Sequence, residues 1–317
     1  MRLAHFSHAL RRGLSRLGAA ALLLPALGQA QDCPTPPAPL SKPQLQAAAA
    51  DRGLLWQLQR DGRTSYLYAT LHVGKASWAA PGPQLRQALQ AVQRVALEID
   101  PHSPEMQSPP STAAVTLAPA LQQRLRQQLR RACLPEVLLQ HMHPSLLLAS
   151  LSAFEARRAG MDASFGSELM LAQWARDNNR PVLSLERAQE QLQALIPSDP
   201  RQRDAELDEG LQAMEDGSAM RQLQALVSAW ERGDLATLSN PQRWCHCSAD
   251  AAALSLLRRL NDGRNPALAQ RIEQLHQQGP VLAAVGALHM TGSAALPTLL
   301  RARGFELRRL WPPETRP

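Results

Sequence analysis

Beyond its first thirty residues, this sequence of 317 residues has no apolar run long enough to cross a lipid bilayer. The one extended apolar run lies at residues 17–27 and is interrupted by Pro25. It is shorter than the roughly 20 residues that a membrane-spanning helix needs. We therefore predict that the mature chain has no stable membrane span.

Aromatic residues make up only 4% of the chain, and no basic segment has aromatic residues interleaved with it. The whole chain has 34 Lys and Arg against 27 Asp and Glu. Residues 1–30 hold four of the arginines and no acidic residue, so the remainder has 30 basic against 27 acidic residues, a net charge of +3. This composition is not typical of nucleic-acid-binding proteins. We therefore predict no nucleic-acid partner.

Residues 1–30 have the composition of a secretory signal peptide. Four arginines precede or begin the apolar run, and Gly28-Gln29-Ala30 follows it with the small-x-small pattern of a cleavage site. The next residues, 31–53, form a proline-rich leader that we expect to lie on the surface. We therefore predict a protein that is periplasmic or secreted.

Only four cysteines are present: Cys33, Cys133, Cys245 and Cys247. An even number of cysteines in an exported chain predicts two disulfides. A bond between Cys245 and Cys247 would close a very tight ring, so we expect each of them to pair with Cys33 or Cys133. The alternative is that Cys245, His246 and Cys247 bind a metal, although the chain has no second ligand pair at the usual zinc spacing.

The dipeptide Leu-His occurs twice in the same setting, at the end of an apolar, strand-like run. The first run is residues 66–71 before His72, and the second is residues 281–288 before His289. After each histidine come a loop with Gly or Pro, a helical stretch and another strand-like run. These later stretches are residues 84–92 and 94–99 in the first unit, and 295–303 and 306–310 in the second. The third Leu-His, at His276, lies in a polar helical stretch and lacks this setting.

Strand-like runs at both ends of the chain enclose a long region of helical periodicity at about residues 119–278. Within it, residues 181–186 alone have the pattern of a short buried strand. Strands that alternate with helices favour parallel pairing. We predict one α/β domain at residues 54–312. Its mixed, mainly parallel sheet is built from the two strand-His-loop-helix-strand units, with a large helical insertion.

Each of four strand-like runs ends on polar residues. These residues are His72, Glu98 with Asp100, Glu186 and His289. In open α/β sheets, ligands bind outside the carboxyl ends of parallel strands, so these side chains are expected to converge. Two imidazoles and a carboxylate suit a catalytic divalent ion, and a second carboxylate can act as general base. The alternative for His72 and His289 is a pair of solvated loop histidines.

A further candidate is Arg264, which is followed by Asn265 and Pro266. A guanidinium group can hold a carboxylate or an oxyanion through two hydrogen bonds. Asn265 is in the position of a helix cap, because proline is favoured at the first residue of a helix. We therefore predict a capping role for Asn265, whereas for Arg264 both a site role and an ordinary place in the turn before the helix stay open.

The same residues resemble the TraB/GumN family, whose animal members are the Tiki proteins. The resemblance runs in order from Leu54 to Leu310 and rests mainly on two G-x-x-H motifs, here Ala69-Thr70-Leu71-His72 and Gly286-Ala287-Leu288-His289. Further matching segments are Leu97-Glu98-Ile99-Asp100, Gly160-Met161-Asp162, residues 181–186 with Glu190-Gln191-Leu192, Arg264-Asn265, and residues 300–304. Ala69 stands where the family pattern has glycine. If residue 69 must adopt a left-handed backbone conformation, alanine there puts the activity of the protein in question. If residue 69 has an ordinary strand conformation, alanine is accepted.

The resemblance implies a fold similar to the erythromycin-esterase and ChaN-like superfamily and a divalent-metal-dependent peptidase acting on peptide or protein substrates. It implies a metal site of His72, His289 and Glu98, with Glu98 as ligand or general base and Arg264 steadying substrate or developing negative charge. One alternative is a haem- or metal-binding periplasmic protein without hydrolytic activity. Another is a catalytically inactive interaction protein. The substrate, the metal and the oligomeric state stay open.

Overall fold

The structure of the protein is a computed structural model, and it describes residues 33–107, 115–245 and 255–313. The predicted signal peptide at residues 1–30 lies outside these residues. The strands, numbered in chain order, are β1 Leu55–Arg60, β2 Arg63–Thr70, β3 Gly74–Lys75, β4 Arg94–Leu97, β5 Met161–Asp162, β6 Val182–Ser184, β7 Val281–Gly286 and β8 Glu306–Trp311. Six of them form one sheet in the order β6-β4-β7-β2-β1-β8, and β3 pairs with β5.

Helices cover the sheet and fill the long region between β4 and β7. The α-helices are α1 Lys42–Ala48, α2 Pro83–Gln90, α3 Pro104–Gln107, α4 Pro119–Arg131, α5 Leu138–His141, α6 Pro144–Glu155, α7 Ser167–Asp177, α8 Ala188–Leu195, α9 Pro200–Glu215, α10 Ser218–Glu231, α11 Leu235–Leu238, α12 Asn265–Gln277 and α13 Leu296–Ala302. None of the helices in the described residues is long and apolar enough to cross a membrane.

The sheet begins with an antiparallel hairpin of β1 and β2. Asp61 and Gly62 connect the two strands, and both have positive φ angles of 49° and 67°. A two-residue turn with positive φ at both positions matches the twist of the strands that it joins. Strand β8 pairs with the other edge of β1 in an antiparallel direction.

The two repeated units lie side by side. Strand β7 pairs in parallel with β2 on one side and with β4 on the other, and β6 pairs in parallel with β4. In this register Thr70 is opposite Gly286, so both Leu-His segments follow at neighbouring strand ends. The prediction of a mixed, mainly parallel sheet built from two strand-His-loop-helix-strand units is confirmed.

Burial explains why β7 occupies the middle of the sheet. Residues 281–285 of this strand are Val, Leu, Ala, Ala and Val, and all are fully buried. A continuous apolar run is typical of a parallel strand that helices cover on both faces.

A separate apolar cluster joins α4, α6 and α9 within the helical insertion. Its fully buried members are Leu125, Leu129, Leu147, Leu151 and Leu211.

One disulfide joins the leader to the helical insertion. Cys33 is bonded to Cys133 immediately after α4, with 5.6 Å between their Cα atoms. The expected pairing, in which Cys245 and Cys247 each bond to one of these cysteines, is therefore wrong. Spacing along the chain could not distinguish the pairings, because the end of α4 contacts the leader only in the folded chain. Cys245 is itself disulfide-bonded, and Cys247 lies outside the described residues.

Candidate functional site

The carboxyl ends of the parallel strands bring together most of the polar residues predicted to meet there. Glu98 follows β4, Glu186 follows β6, and the loops after β2 and β7 bear His72 and His289. Asp100 takes a different role, since its carboxylate accepts a hydrogen bond from Arg176 of α7 at 2.6 Å. The candidate site therefore lies at the predicted sheet edge, without Asp100.

Glu98 lies at the centre of the site, and its side chain is only 4% exposed. Its Oε1 accepts a hydrogen bond from the backbone N–H of Gly286 at 2.6 Å, and its Oε2 accepts one from Arg264 at 2.6 Å. These neighbours, together with His72 and His289, outweigh the effect of burial and lower the pKa of Glu98 to about 2. Glu98 is therefore a fixed anion at neutral pH.

Arg264 bridges two buried carboxylates. Its Nη2 donates to both Glu98 and Glu186, its Nε donates to Glu186 at 3.0 Å, and its Nη1 donates to the backbone carbonyl of Leu260 at 2.9 Å. Gln191 of α8 donates to the same carboxylates, at 3.0 Å from Glu98 and 3.3 Å from Glu186. Burial raises the pKa of Glu186, while Arg264 opposes that change. These contacts orient Glu98 from the side opposite Gly286.

His289 is held in one orientation by Asn265. The Nδ1 of His289 lies 2.6 Å from the Oδ1 of Asn265, whose Nδ2 donates to the carbonyls of His289 and Ala294. Because the amide nitrogen is committed to carbonyls, Oδ1 accepts and His289 Nδ1 bears the proton. Burial lowers the pKa of His289 to about 4, so its ring is neutral at pH 7. The lone pair of Nε2 therefore faces Glu98 Oε1, at a distance of 3.9 Å.

This finding corrects the prediction for Asn265, which is not the cap of α12. The residue in the cap position is Arg264, and Asn265 is the first residue of the helix and fully buried. A hydrogen bond to the second ring nitrogen is what fixes a metal-binding histidine in its tautomer and orientation. The local sequence is also compatible with a helix cap. The hydrogen bond from His289 to Asn265 therefore becomes evident only in the folded structure.

Steric crowding explains why the second G-x-x-H motif has glycine at position 286. A Cβ atom at Gly286 would lie 3.1 Å from Glu98 Oε1 and 3.5 Å from the ring of His289. Alanine would therefore press against the carboxylate that the Gly286 N–H binds. Ala69, the corresponding residue of the first motif, is fully buried inside β2 and is not among the residues with positive φ. Its methyl group is buried in the core, and this strand position accepts alanine without a left-handed backbone.

His72 lies at the mouth of the site, with 70% of its side chain exposed. Its Nδ1 is 3.3 Å from Oε1 of Glu168, which also accepts a hydrogen bond from the hydroxyl of Thr70. The Glu168 carboxylate raises the pKa of His72. The imidazole and the carboxylate thus form a pair at the open side of the site.

Glu168 reaches the site because the start of α7 is attached to the end of β2. The Ser167 N–H donates to the carbonyl of Leu71 at 2.9 Å, and the Leu71 N–H donates to the Ser167 hydroxyl at 2.8 Å. The neighbouring Gly166 allows this close contact, since a Cβ there would lie 2.5 Å from the carbonyl oxygen of His72. Sequence reasoning missed Glu168, because the residues that bring it to His72 are 96 positions apart.

Three side chains form a group that could hold a metal ion. One ligand atom from each of His72, Glu98 and Glu168 lies within 4.8 Å of the other two. Carboxylate oxygens and a neutral imidazole are suitable ligands for Zn²⁺ and other divalent first-row metals. The free Nε2 of His289 adds a fourth donor beside Glu98. The donor set therefore fits a divalent cation.

The comparison with protein families matches residues 54–309 to the model of the TraB/PrgY/gumN family. The chain is 27% identical over 259 residues to the uncharacterized protein YbaP of Shigella flexneri, covering 75% of this chain and 88% of that protein. It is 29% identical over 156 residues to the uncharacterized protein YbaP of Escherichia coli K12, covering 48% of this chain and 53% of that protein. No solved structure matches. The family match spans the sheet, both histidine motifs and the helical insertion, and the chain belongs to the TraB/PrgY/gumN family.

Proposed function

We propose that this protein is an exported, divalent-metal-dependent hydrolase that cleaves peptide or protein substrates. The observation that supports this most directly is the convergence of His72, Glu98 and Glu168 within 4.8 Å, beside a neutral His289 whose Nε2 is free. Metal sites with such mixed imidazole and carboxylate ligands, open on one side, are typical of hydrolases.

The residues that would hold the metal are His72, His289 and Glu98, joined by Glu168. A divalent cation at such a site supplies polarisation of the scissile carbonyl group and activation of water. The buried Glu98 and His289 form the rigid side of the site. The exposed His72 forms the side from which a substrate enters.

Proton movement at this site is assigned to Glu168. Its Oε1 accepts a hydrogen bond from Thr70 and lies near the Nδ1 of His72 at the open side of the site, so this carboxylate can accept a proton from an attacking water. Glu98 is less suited to this role, because both of its oxygens already accept hydrogen bonds from Gly286 and Arg264. We assign Glu98 to metal binding.

Arg264 acts in this proposal as a positioning residue. It forms four hydrogen bonds within the protein, three of them to the carboxylates of Glu98 and Glu186. Such a guanidinium group stabilises two buried anions and fixes their orientation. Its role here is to hold Glu98 in the orientation in which that carboxylate would bind the metal.

Two features support export. Residues 1–30 have the pattern of a signal peptide, and Cys33 forms a disulfide with Cys133, a bond that persists in oxidising compartments. A periplasmic or secreted location follows from this proposal. It is tested by the N-terminal residue of the mature protein, which we expect to be Gln31.

The test of the function is metal analysis combined with peptide hydrolysis on the purified mature protein. We expect about one divalent ion per chain and hydrolysis of a mixed peptide substrate that chelation abolishes and the metal restores. His72→Ala and His289→Ala should each lose metal and hydrolysis. His141→Ala, an exposed histidine outside the site, serves as the matched control.

The outcomes separate the competing functions. Bound metal or haem that depends on His289, without hydrolysis of any peptide in the mixture, would indicate a binding protein. Wild-type metal content in both histidine variants would contradict the metal site itself.

A further inference from the structure

A small two-stranded sheet joins the two loops that bear the open side of the site. Strands β3 and β5 pair in an antiparallel direction, with Gly74 opposite Asp162. Strand β3 begins two residues after His72, and β5 is followed by the turn that leads to Glu168. Two short strands are only marginally stable by themselves. The six-stranded sheet does not include them, so neither the main fold nor the proposed chemistry explains why they pair.

The backbones of the two loops are in close contact beside this small sheet. A Cβ atom at Gly74 would overlap the carbonyl oxygen of Phe165. The approach of Gly166 to the carbonyl oxygen of His72 is a second contact of the same kind. Glycine allows such an approach because it has no side chain. Since no side chain separates the two segments, a displacement of the loop before Glu168 displaces His72 as well.

Asp162, the last residue of β5, holds the turn between the small sheet and Glu168. Its side chain is only 7% exposed. Its Oδ1 accepts hydrogen bonds from the backbone N–H of Ser164 at 2.8 Å and from the Ser164 hydroxyl at 2.6 Å. This is how an aspartate caps the first turn of a helix, which here is the 3₁₀ turn Ala163–Phe165. The conformation of this turn therefore depends on the Asp162 carboxylate.

The small sheet is anchored to two helices of the insertion. Asp162 Oδ2 accepts a hydrogen bond at 2.5 Å from Nε of Arg157, in the turn after α6. The guanidinium group of Arg157 lies over the ring of Phe154 in α6, with 4.2 Å from Cζ to the ring centroid. On the other strand, Lys75 donates to both carboxylate oxygens of Glu231 in α10, at 2.8 and 2.9 Å. Both strands are thus fixed from outside the site.

We propose that Asp162 is a positioning residue of the metal site, which holds His72 and Glu168 toward the buried ligands. This inference rests on the proposed function and names the residue that sets the geometry at the open side of that site. Among the described residues, the hydrogen bonds of Asp162 are to Ser164 and Arg157 and not to a metal ligand. It therefore acts through the backbone of the turn. Outer partners of this kind hold ligands in the geometry that the ion requires.

The first measurement is the affinity for Co²⁺ of the full mature chain, after metal has been removed with a chelator. The visible absorption of Co²⁺ reports its binding and its coordination geometry. We expect Asp162→Ala to weaken Co²⁺ binding about tenfold or more, within the range for loss of an outer partner of a metal site. Asp162→Asn keeps an oxygen that can accept from Ser164, so it should stay within about threefold of the wild type.

Asp216→Ala is the matched control for Asp162→Ala. Asp216 Oδ1 accepts a hydrogen bond from the backbone N–H of Ser218 at 2.8 Å, with the same spacing of two residues, in an exposed turn between α9 and α10. This variant should retain the wild-type affinity for Co²⁺. Equal affinity in the wild type, Asp162→Ala and Asp216→Ala would overturn the positioning role.

Double variants separate positioning from general destabilisation. Because Asp162 acts through the loop of Glu168, the losses of affinity in Asp162→Ala and Glu168→Ala should add only in part. Asn265 orients the buried histidine, so the losses in Asp162→Ala and Asn265→Ala should add fully. Full additivity in both double variants would overturn a role through Glu168. Arg157→Gln loosens the same turn and should weaken binding in the same direction, so it carries the test if circular dichroism shows that Asp162→Ala does not fold.

The second measurement needs no metal. The imidazole nitrogen NMR signals of His72 are identified by their loss in His72→Ala and are recorded at pH 7 with a chelator present. Because the Glu168 carboxylate lies 3.3 Å from Nδ1 of His72, Asp162→Ala should shift these signals and leave those of His289 in place. Asp162→Asn should restore the wild-type signals. Unchanged His72 signals in both Asp162→Ala and Arg157→Gln would overturn the inference.

The two measurements distinguish failure of the inference from failure of the proposed function. A protein that binds no Co²⁺, but in which Asp162→Ala shifts the His72 signals alone, retains the positioning role and loses the metal site. A protein that binds Co²⁺ equally well with and without the Asp162 carboxylate retains the metal site and loses the positioning role.

Discussion

The side-chain oxygen of Asn265 accepts a hydrogen bond from Nδ1 of His289, over a distance of 2.6 Å. The contact joins the first residue of α12 to the second histidine motif. It leaves Nε2 unprotonated and directed toward Glu98. The chain thus contains the partner that a metal-binding histidine requires on its second nitrogen.

The first prediction tests this contact. Asn265→Ala should lower the affinity for the divalent metal about 10- to 100-fold, the usual effect of removing such a partner. Asn265→Asp retains an acceptor oxygen and should lose less affinity than the alanine variant. Metal titration of the chelator-treated protein measures both, and Asn178→Ala on the surface is the control. Equal affinity in all three variants would show that Asn265 does not orient the metal site.

The second prediction concerns the charge of Glu98. Glu98→Gln keeps the shape of the side chain, but its amide NH₂ must face either the Gly286 N–H or the guanidinium of Arg264, both of which are donors. We expect loss of bound metal, loss of the hydrolysis that depends on the metal, and a free energy of unfolding lowered by about 1–3 kcal/mol.

Glu273→Gln is the matched control for Glu98→Gln, because Glu273 pairs with Arg60 outside the site. It should retain wild-type metal content and hydrolysis. Metal analysis, peptide hydrolysis and urea unfolding are measured on both variants. Full activity in Glu98→Gln would exclude Glu98 from the chemistry.

The third prediction compares the two G-x-x-H motifs. Gly286→Ala should impair metal binding, because the added Cβ would lie 3.1 Å from Glu98 Oε1. Ala69→Gly restores the family pattern but should leave metal binding and hydrolysis unchanged, since Ala69 faces the core within β2. It should lower stability by about 1–2 kcal/mol, through the loss of a buried methyl group and the greater freedom of glycine in the unfolded chain. A gain of activity in Ala69→Gly would mean that the departure at Ala69 does matter.

The sheet and the sheet edge could be predicted because their signals are local. Each strand-His unit shows its apolar run, loop and helix within about thirty residues, and parallel strands must present their carboxyl ends together. His72, Glu98 and His289 therefore meet where the sequence predicts. The dipeptide Leu-His alone does not identify a histidine of the site. His276 also follows a leucine, but it lies in α12 and is hydrogen-bonded to Ser65.

Glu168 and the disulfide could not be predicted, because each depends on contacts between distant segments. Glu168 approaches His72 because hydrogen bonds join Leu71 to Ser167. The hydrophobic periodicity of the sequence does not reveal such a contact between distant segments. Cys33 reaches Cys133 across 100 residues. Counting cysteines gives the number of possible pairings but not the folded distances between them.

The fourth prediction concerns the bond between Cys33 and Cys133. Because it closes a loop of about 100 residues, its loss should lower the free energy of unfolding by roughly 2–5 kcal/mol. Cys33→Ser, Cys133→Ser and the double variant should be equally destabilised in urea unfolding, because each removes the same bond. A double variant as stable as the wild type would show that this disulfide contributes nothing to stability.

The fifth prediction is a pH dependence of stability that originates outside the metal site. His276 is buried, with Nδ1 2.8 Å from the Ser65 hydroxyl and Nε2 3.2 Å from the Arg60 carbonyl. Burial lowers its pKa below the ordinary value of 6.5. Below pH 6.5 the unfolded chain therefore binds a proton that the folded chain does not, so stability falls as the pH falls.

The measurement compares the wild type with His276→Gln in urea unfolding between pH 8 and pH 5, with a chelator present. The wild type should be the more stable protein at pH 8. Its advantage should shrink by up to about 1.4 kcal/mol per pH unit below pH 6.5, until the folded protein itself takes up the proton. His289 and His143, whose pKa values burial also lowers, are present in both proteins and cancel in the difference. An advantage that is constant over this range would show that His276 has the same pKa in the folded and unfolded chains.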